Sequence, residues 1–415
     1  MQSAVGSFVN GPLTGVRVLE IGSTVAGPFC GRLLADFGAE VIKIEAAEGD
    51  TVRSMGKRLD GRSLYAASIF RNKALISVDL RRPEGQEVVR RIAAAVDVVV
   101  ENFRPGGLER WGIGWEQLRA INPGLVMVRI SGFGQDGPYA HRPGFGVIGE
   151  AVSGLRHVTG DPDRPPARVA VSLTDYITGL YAAFGATMAL LVKRQTGRGQ
   201  YIDAALHECA FSFMEPHIPA YDKLGHVAGR AGSRLPDNTP NNLYPTRDRS
   251  FIHIAAVGEP VFRRFAACMG APELADDPRF STGVARARHE DALDALVVGW
   301  TEAHDLAELE RILEAADVPA TRIFTMADIF RDPHYAARGA IAAAPDAALG
   351  TIAMANVVPR LSATPGRVRH AGGGIVGADT RAVLRRVAGF TEAEIDRLDA
   401  AGVVVCAGEA VHGAG

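Results

Sequence analysis

The chain has 415 residues, 47% of them hydrophobic and 22% charged, with 45 Lys and Arg against 47 Asp and Glu for a formal net charge of −2. That balance excludes the electrostatic footprint of a nucleic-acid or anionic-membrane binder, and the length suits two domains. Four scattered cysteines (Cys30, Cys209, Cys268, Cys406) form no Cys-x-x-Cys pair, which excludes a cysteine zinc site or disulfide framework and fits a cytoplasmic protein. Met1 to Asn10 carry no Lys, no Arg and no apolar core, so no signal peptide is expected there.

In chain order, Val16 to Ile21 reads as a strand, Pro28 to Phe37 as a helix and Glu40 to Glu45 as a second strand. The pattern repeats. Ala74–Leu80 and Asp97–Asn102 flank a helix at Pro83–Ala95, and Leu125–Ile130 follows a helix near Trp115–Ala120. This alternation predicts a mostly parallel, doubly wound sheet whose ligands bind at the strands' carboxyl ends. The loops to inspect are therefore 22–28, 46–56, 102–107 and 131–146.

Residues 172–203 are the centre of this organisation. The run Tyr176 to Val192 has no charge, and a helix apolar all round is expected to be buried. It is at the lower limit for spanning a bilayer and contains Gly179 and Gly185, which favours a core helix over a membrane span. Lys193 and Arg194 close its last turn, and Gly197 and Gly199 end it. Asp175 falls in its first turn, where free N–H groups and the helix dipole favour an ionised carboxylate. Such a residue is ordinarily an N-cap, the alternative being a nucleophile, and spacing does not choose between them.

Beyond this helix, the Gly-, Asn- and Arg-rich stretch near 221–242 reads as a linker. A strand at Phe251–Ala256 and helices near Pro260–Met269, His289–Ala303 and Leu306–Ala316 form a smaller domain. More strand, a polar loop (Thr364–Gly374) and a helix at Glu392–Ala400 follow, returning to complete the first domain. The expected layout is 11–220 for the large domain, 221–242 for the linker, 243–335 for the small domain, 336–403 for the return segment and 404–415 for a flexible tail.

Gly132-Phe133-Gly134-Gln135-Asp136-Gly137 matches G-x-G-x-x-G after a strand, but Pro138 and Tyr139 stand where a helix should run. A loop beside a ligand fits better than a dinucleotide site. There is no G-x-S-x-G elbow, Walker A sequence or H-E-x-x-H. Glu101 to Gly106 ends a strand: Asn102 and Arg104 could hold a phosphate and Phe103 an adenine or acyl group, or the segment is a solvated turn. Val78 to Arg81 carries the same ambiguity.

Asp175-Tyr176-Ile177-Thr178-Gly179-Leu180 and Arg194-Gln195-Thr196-Gly197-Arg198-Gly199-Gln200-Tyr201-Ile202-Asp203 resemble the heart of the class III CoA-transferases, the family of formyl-CoA, carnitine-CoA and succinyl-CoA:dicarboxylate transferases. Val18 to Asp50, Arg71-Asn72-Lys73, Val78–Arg81, Glu101–Gly106, Ile130–Gly137, Asp277–Phe280 and Ala316–Pro319 match in order, so the resemblance covers roughly residues 11–400. It implies a Rossmann-like large domain with a parallel sheet, a smaller α/β domain, and two chains interlocked as a homodimer.

By position, Asp175 matches the catalytic aspartate. Val25, Ala26, Val78, Asp79, Leu80, Arg81, Asn102, Phe103, Arg104, Arg110, Gly144 and Phe145 match positions that hold CoA. The implied substrates are an acyl-CoA and a small carboxylic acid, with no tightly bound cofactor, metal, nucleic acid or membrane. Ala46-Ala47 stands where some members carry an arginine or proline, Gly146 where many transferases have an acidic residue, and Ala255-Ala256-Val257-Gly258-Glu259 replaces the glycine loop of formyl-CoA transferases; the text from Ser153 to Gly160 is closer to members using succinyl-CoA and other small dicarboxylates. The alternatives are a 2-methylacyl-CoA racemase, whose histidine and aspartate positions hold Phe145 and Gly146 here, and a non-catalytic CoA-binding protein.

Overall fold

The computed structural model describes residues 11–407. The chain forms two compact units. Of the described residues, one takes 11–155, Val169–Pro219 and 336–407; the other takes Arg156–Arg168 and Ala220–Tyr335.

The first unit is built on β1 (Arg17–Glu20), α1 (Ala26–Asp36), β2 (Glu40–Glu45), α2 (Leu64–Ile69), β3 (Lys73–Val78), α3 (Pro83–Ala93), β4 (Val98–Glu101), α4 (Trp115–Ile121), β5 (Val126–Ser131), α5 (Gly146–Val152), α6 (Leu173–Thr196), β6 (Tyr201–Ala205) and α7 (Leu206–Phe211). Six parallel strands lie in the order β3-β2-β1-β4-β5-β6, the doubly wound Rossmann order with its switch point between β1 and β4. The strands are apolar because helices cover both faces: Val98, Val99, Val100, Val126, Met127 and Val128 are fully buried. Buried polar residues gather towards the carboxyl halves, at Glu20, Lys43, Glu45, Ser77, Glu101, Arg129 and Ser131, with Lys73 the exception at the start of β3. That edge is where a binding crevice belongs.

Helix α6 departs from the expected buried cylinder. Its small residues Thr178, Gly179, Ala182, Ala183, Ala186 and Ala189 are buried, packed on α1 and the sheet. A Cβ at Gly179 would lie 2.8 Å from the Ala26 carbonyl oxygen, so the two helices meet backbone to backbone. The opposite stripe is solvent-facing in the single chain: Leu180 is 57% exposed, Phe184 59%, Met188 45% and Leu191 51%. Absence of charge hid two faces that differ in side-chain size. By length and composition this helix could cross a membrane.

The glycines ending α6 have separate tasks. Gly197 takes φ 71° and donates its N–H to the Lys193 carbonyl as a left-handed cap. A Cβ at Gly199 would stand 1.7 Å from the Leu125 carbonyl oxygen, so only glycine lets the chain pass into β6.

In the second unit, β7 (Asn241–Pro245), β8 (Phe251–Ala255) and β9 (Ala320–Arg322) form an antiparallel sheet in the order β9-β8-β7. Helices α8 (Glu259–Cys268), α9 (Glu290–Thr301) and α10 (Leu306–Ala315) pack Phe262, Phe265, Leu293, Val297, Leu309 and Leu313 against it. The stretch 221–242, expected as a linker, belongs to this unit and runs into β7. Its turn residues close a structured loop, with Arg234 and Asn242 both bonded to Asp294.

The return segment of the first unit carries the hairpin β10 (Ile341–Asp346) and β11 (Gly350–Ala355), then α11 (Thr380–Ala388) and α12 (Glu392–Ala400). Val404–Val405, placed in the expected tail, forms β12 instead and pairs antiparallel with Val78 and Ser77 of β3. Two valines covering the free β3 edge stabilise more than a frayed end would. The rest of that expected tail, 408–415, and the signal-peptide expectation for Met1 to Asn10 lie outside the described residues.

Candidate active site

At the switch point, the loop after β1 and the loop after β4 are tied together. Asn102 Oδ1 accepts the Ser23 N–H at 2.7 Å, and its Nδ2 donates to the Ser23 carbonyl at 2.8 Å. A Cβ at Gly22 would press on Asn102 Oδ1 and the Gly27 Cα, so the motif's glycines permit this approach. Asn102 was expected to hold CoA, but its side chain is engaged in shaping the crevice.

Beneath the same loop is a buried ionic cluster. Lys43 Nζ reaches the Gly22 carbonyl and lies 3.0 Å from Asp50 and 3.5 Å from Glu20. Lys73 Nζ donates to Glu20 at 2.6 Å and to the Pro28 carbonyl at 2.7 Å. Asp50 accepts the Thr24 N–H. Burial alone would raise the Asp50 carboxyl. The Lys43 charge and the backbone N–H groups of Val52 and Thr24 instead hold it below the usual carboxylate range. Both ends of loop 22–28 thus hang on two lysines. The charge inside the apolar run Val41-Ile42-Lys43-Ile44 was the signal available in the sequence.

Asp175 lies in the first turn of α6, three residues past the cap position at Ser172, so it is not the N-cap. It is half-buried, and the first turn of α5 packs directly on it. A Cβ at Gly146 would stand 2.0 Å from Oδ2 and 2.7 Å from Cγ. The approach of Gly144 to Gly132, where a Cβ would meet the Gly132 Cα at 2.7 Å, presses this segment onto the end of β5. Thr174 Oγ1 and Glu150 Oε1, both buried on these two helices, have no hydrogen-bond partner among the described residues.

Next to the aspartate, the Tyr65 and Tyr176 hydroxyls are 2.7 Å apart, and Phe29 meets Tyr176 edge to face at 4.8 Å. Burial, the Tyr176 hydroxyl and the Asp175 charge push the Tyr65 phenol well above its usual range. Sequence reading missed Tyr65, because nothing around it repeats a motif of acid–base chemistry.

The other expected CoA residues divide by accessibility. Val25, Ala26 and Val78 are buried, so they present backbone only. Leu80 packs on the core. Asp79 pairs with Arg81 at 2.8 Å, and that bond holds the Asp79 carboxyl low. Phe103 stacks edge-on against Trp111 at 5.5 Å. Arg104 and Arg110 are exposed near Gly106, and Phe145 is 69% exposed as the cap residue of α5. Asn102, Arg104 and Arg110 all follow β4, Gly144 and Phe145 precede the Gly146 that touches the aspartate, and Asp79 and Arg81 follow β3, two strands away from β1.

A Rossmann-order sheet with basic loops at its switch point and a helix-seated carboxylate beside it fits a nucleotide-bearing thioester and an acyl-transfer nucleophile. The description CoA-transferase family III matches residues 13–380. Succinyl-CoA–D-citramalate CoA-transferase of Chloroflexus aurantiacus is 48% identical over 395 residues, 95% of this chain and 98% of that one. Succinyl-CoA:glutarate CoA-transferase of Mus musculus is 32% identical over 402 residues, 95% and 90% of the two chains. The crystal structure of a CAIB/BAIF family protein from Brucella suis superposes with a TM-score of 0.81 at 34% identity, covering 91% of this chain and all of that one. The chain belongs to CoA-transferase family III. It is an enzyme that uses CoA thioesters as substrates.

Proposed function

We propose that this enzyme moves CoA from succinyl-CoA, or a similar acyl-CoA, to a small dicarboxylic acid, with Asp175 as the covalent relay. The carboxylate held against Gly146 supports this reading most directly. The Asp175 carboxylate attacks the donor thioester carbonyl, forming a mixed anhydride and releasing CoA thiolate. The thiolate attacks the aspartyl carbonyl, giving an aspartyl–CoA thioester and the donor acid. The acceptor carboxylate then attacks that thioester, and the freed thiolate attacks the acceptor's carbonyl in the second anhydride, restoring Asp175. Each step builds an oxyanion, and N–H donors of the glycine-rich segments around α5 are the groups to stabilise it. Arg104 and Arg110 are the phosphate-facing cations, Asp79 to Arg81 flank the nucleotide, and the Val25–Ala26 backbone lines the crevice.

Two copies interlock as a homodimer in this reading. The apolar stripe of α6, on the very helix that carries Asp175, supports the arrangement, because monomers rarely leave so large a patch uncovered. Four free cysteines accord with a cytoplasmic enzyme.

Intact-protein mass spectrometry after incubation with succinyl-CoA, with hydroxylamine or borohydride trapping, tests the relay. The expected result is an adduct mapping to Asp175 that is absent from Asp175→Ala. CoA binding without any adduct across a panel of acyl-CoAs would overturn it in favour of a racemase or a CoA-binding protein.

A further inference from the structure

Arg32 is a charged group without adequate partners. It projects from α1, its side chain only 15% exposed. Its Nε is shielded from solvent and makes no hydrogen bond. Its carboxylate partner, Asp36, forms an i,i+4 ion pair at 3.6 Å, beyond hydrogen-bond reach, and is shared with stronger donors. Arg71 grips Asp36 through Nε at 2.9 Å and Nη2 at 2.6 Å, and Asn72 donates to it at 2.8 Å. What Arg32 has instead is the Phe29 ring, 4.7 Å from Cζ to the centroid. Burial and the Arg71 charge push its guanidinium down to about 10.

Such a cation destabilises the fold that carries it, since a buried charge without hydrogen bonds is among the costlier arrangements. Violations of this kind are expected at functional positions. The surroundings indicate the function. Phe29 leads to Tyr176, Tyr176 bonds to Tyr65, and Tyr65 lies within electrostatic reach of both Arg32 and Asp175. A cation with unfilled donors and a carboxylate nucleophile therefore flank one tyrosine pair.

We propose that Arg32 anchors the free carboxylate of a dicarboxylic acid whose other carboxyl group exchanges CoA at Asp175. The guanidinium fork matches a carboxylate bidentately, and the aromatic walls cover the intervening methylenes. The proposal rests on the CoA-transfer reading above and adds the origin of its preference for diacids over monoacids.

The test compares wild type, Arg32→Met and Arg32→Lys with succinate and butyrate as acceptors, alongside calorimetry of succinate binding and thermal midpoints. Loss of a charge-assisted pair should lower the succinate-to-butyrate ratio of kcat/KM about 10- to 100-fold in Arg32→Met. Arg32→Lys should recover part of it, and the midpoint of Arg32→Met should equal or exceed that of wild type. Equal losses with both acids, an unchanged ratio, a lowered midpoint or a change in oligomeric state would overturn the proposal and make Arg32 a packing or interface group. The two readings fail separately. Succinate heat that vanishes in Arg32→Met upholds the anchor even if no CoA moves, whereas an Asp175 adduct with undiminished succinate preference in the variant removes the anchor alone.

Discussion

Gly146 and Asp175 are in such close contact that no side chain fits at position 146: a Cβ there would overlap Oδ2 at 2.0 Å. Gly146→Ala should therefore push the Asp175 carboxylate aside or lift the first turn of α5. A displacement near 1 Å from a reacting geometry lowers rates by about 100-fold. The expected outcome is a fall of that order in kcat with CoA affinity nearly intact. A variant with wild-type kcat would show that the contact has no part in positioning Asp175.

Asp50 joins the Thr24 N–H to Lys43 beneath the nucleotide loop. Removing the charge from a buried pair while leaving its partner costs about 3 kcal/mol, so Asp50→Asn should lower the urea midpoint at neutral pH and weaken CoA binding. The folded-state value lies below the unfolded one, so the stabilisation is complete above about pH 4 and disappears as pH falls further. The difference between wild type and Asp50→Asn should shrink in the same direction. A gap that persists or widens in acid would place the effect elsewhere.

Asn102→Ala removes both bonds to Ser23 and leaves a void against Gly22 and Gly27. Each lost bond is worth about 1 kcal/mol, so the variant should lose about 2 kcal/mol of stability and, with the loop released, bind CoA more weakly than wild type. Calorimetry with CoA alone reads this directly. If binding is unchanged, the clamp does not shape the crevice.

Phe184→Glu places a charge in the middle of the α6 stripe. If a second copy covers that stripe, the variant should elute as a monomer and lose transfer activity, because an unpaired buried charge is not tolerated in an apolar contact. Size exclusion with light scattering decides. A dimer of unchanged stability would mean that this face stays in water.

Much of the core was readable because its signals are local. Val18 to Ile21, Lys73 to Val78 and Val98 to Glu101 alternate with helices, and that rhythm alone implies a parallel sheet. Asp175 was readable from its place in a helix's first turn together with the wording around it. What escaped was set by long-range contact. The burial of one side of α6 depends on how close Gly179 lets α1 come, and hydropathy does not record that distance. The edge strand Val404–Val405 exists only because β3 offers it a free edge. Arg32 looks like any helical surface arginine until Arg71 and Asn72 are seen to occupy Asp36.

The return segment has a consequence for how the protein is made. Arg62 pairs with Asp346, Asn72 Oδ1 accepts the Arg369 N–H, and Leu75 N–H is received by Asp379, partners nearly 300 residues apart. Ser77 and Val78 wait for Val404 and Val405. During synthesis the amino-terminal strands leave the ribosome long before these partners exist, whereas the second unit, Arg156–Arg168 with Ala220–Tyr335, has all its residues once Tyr335 is made. The first unit is thus the last to be finished, and its exposed β3 edge is where a stalled or shortened chain would aggregate.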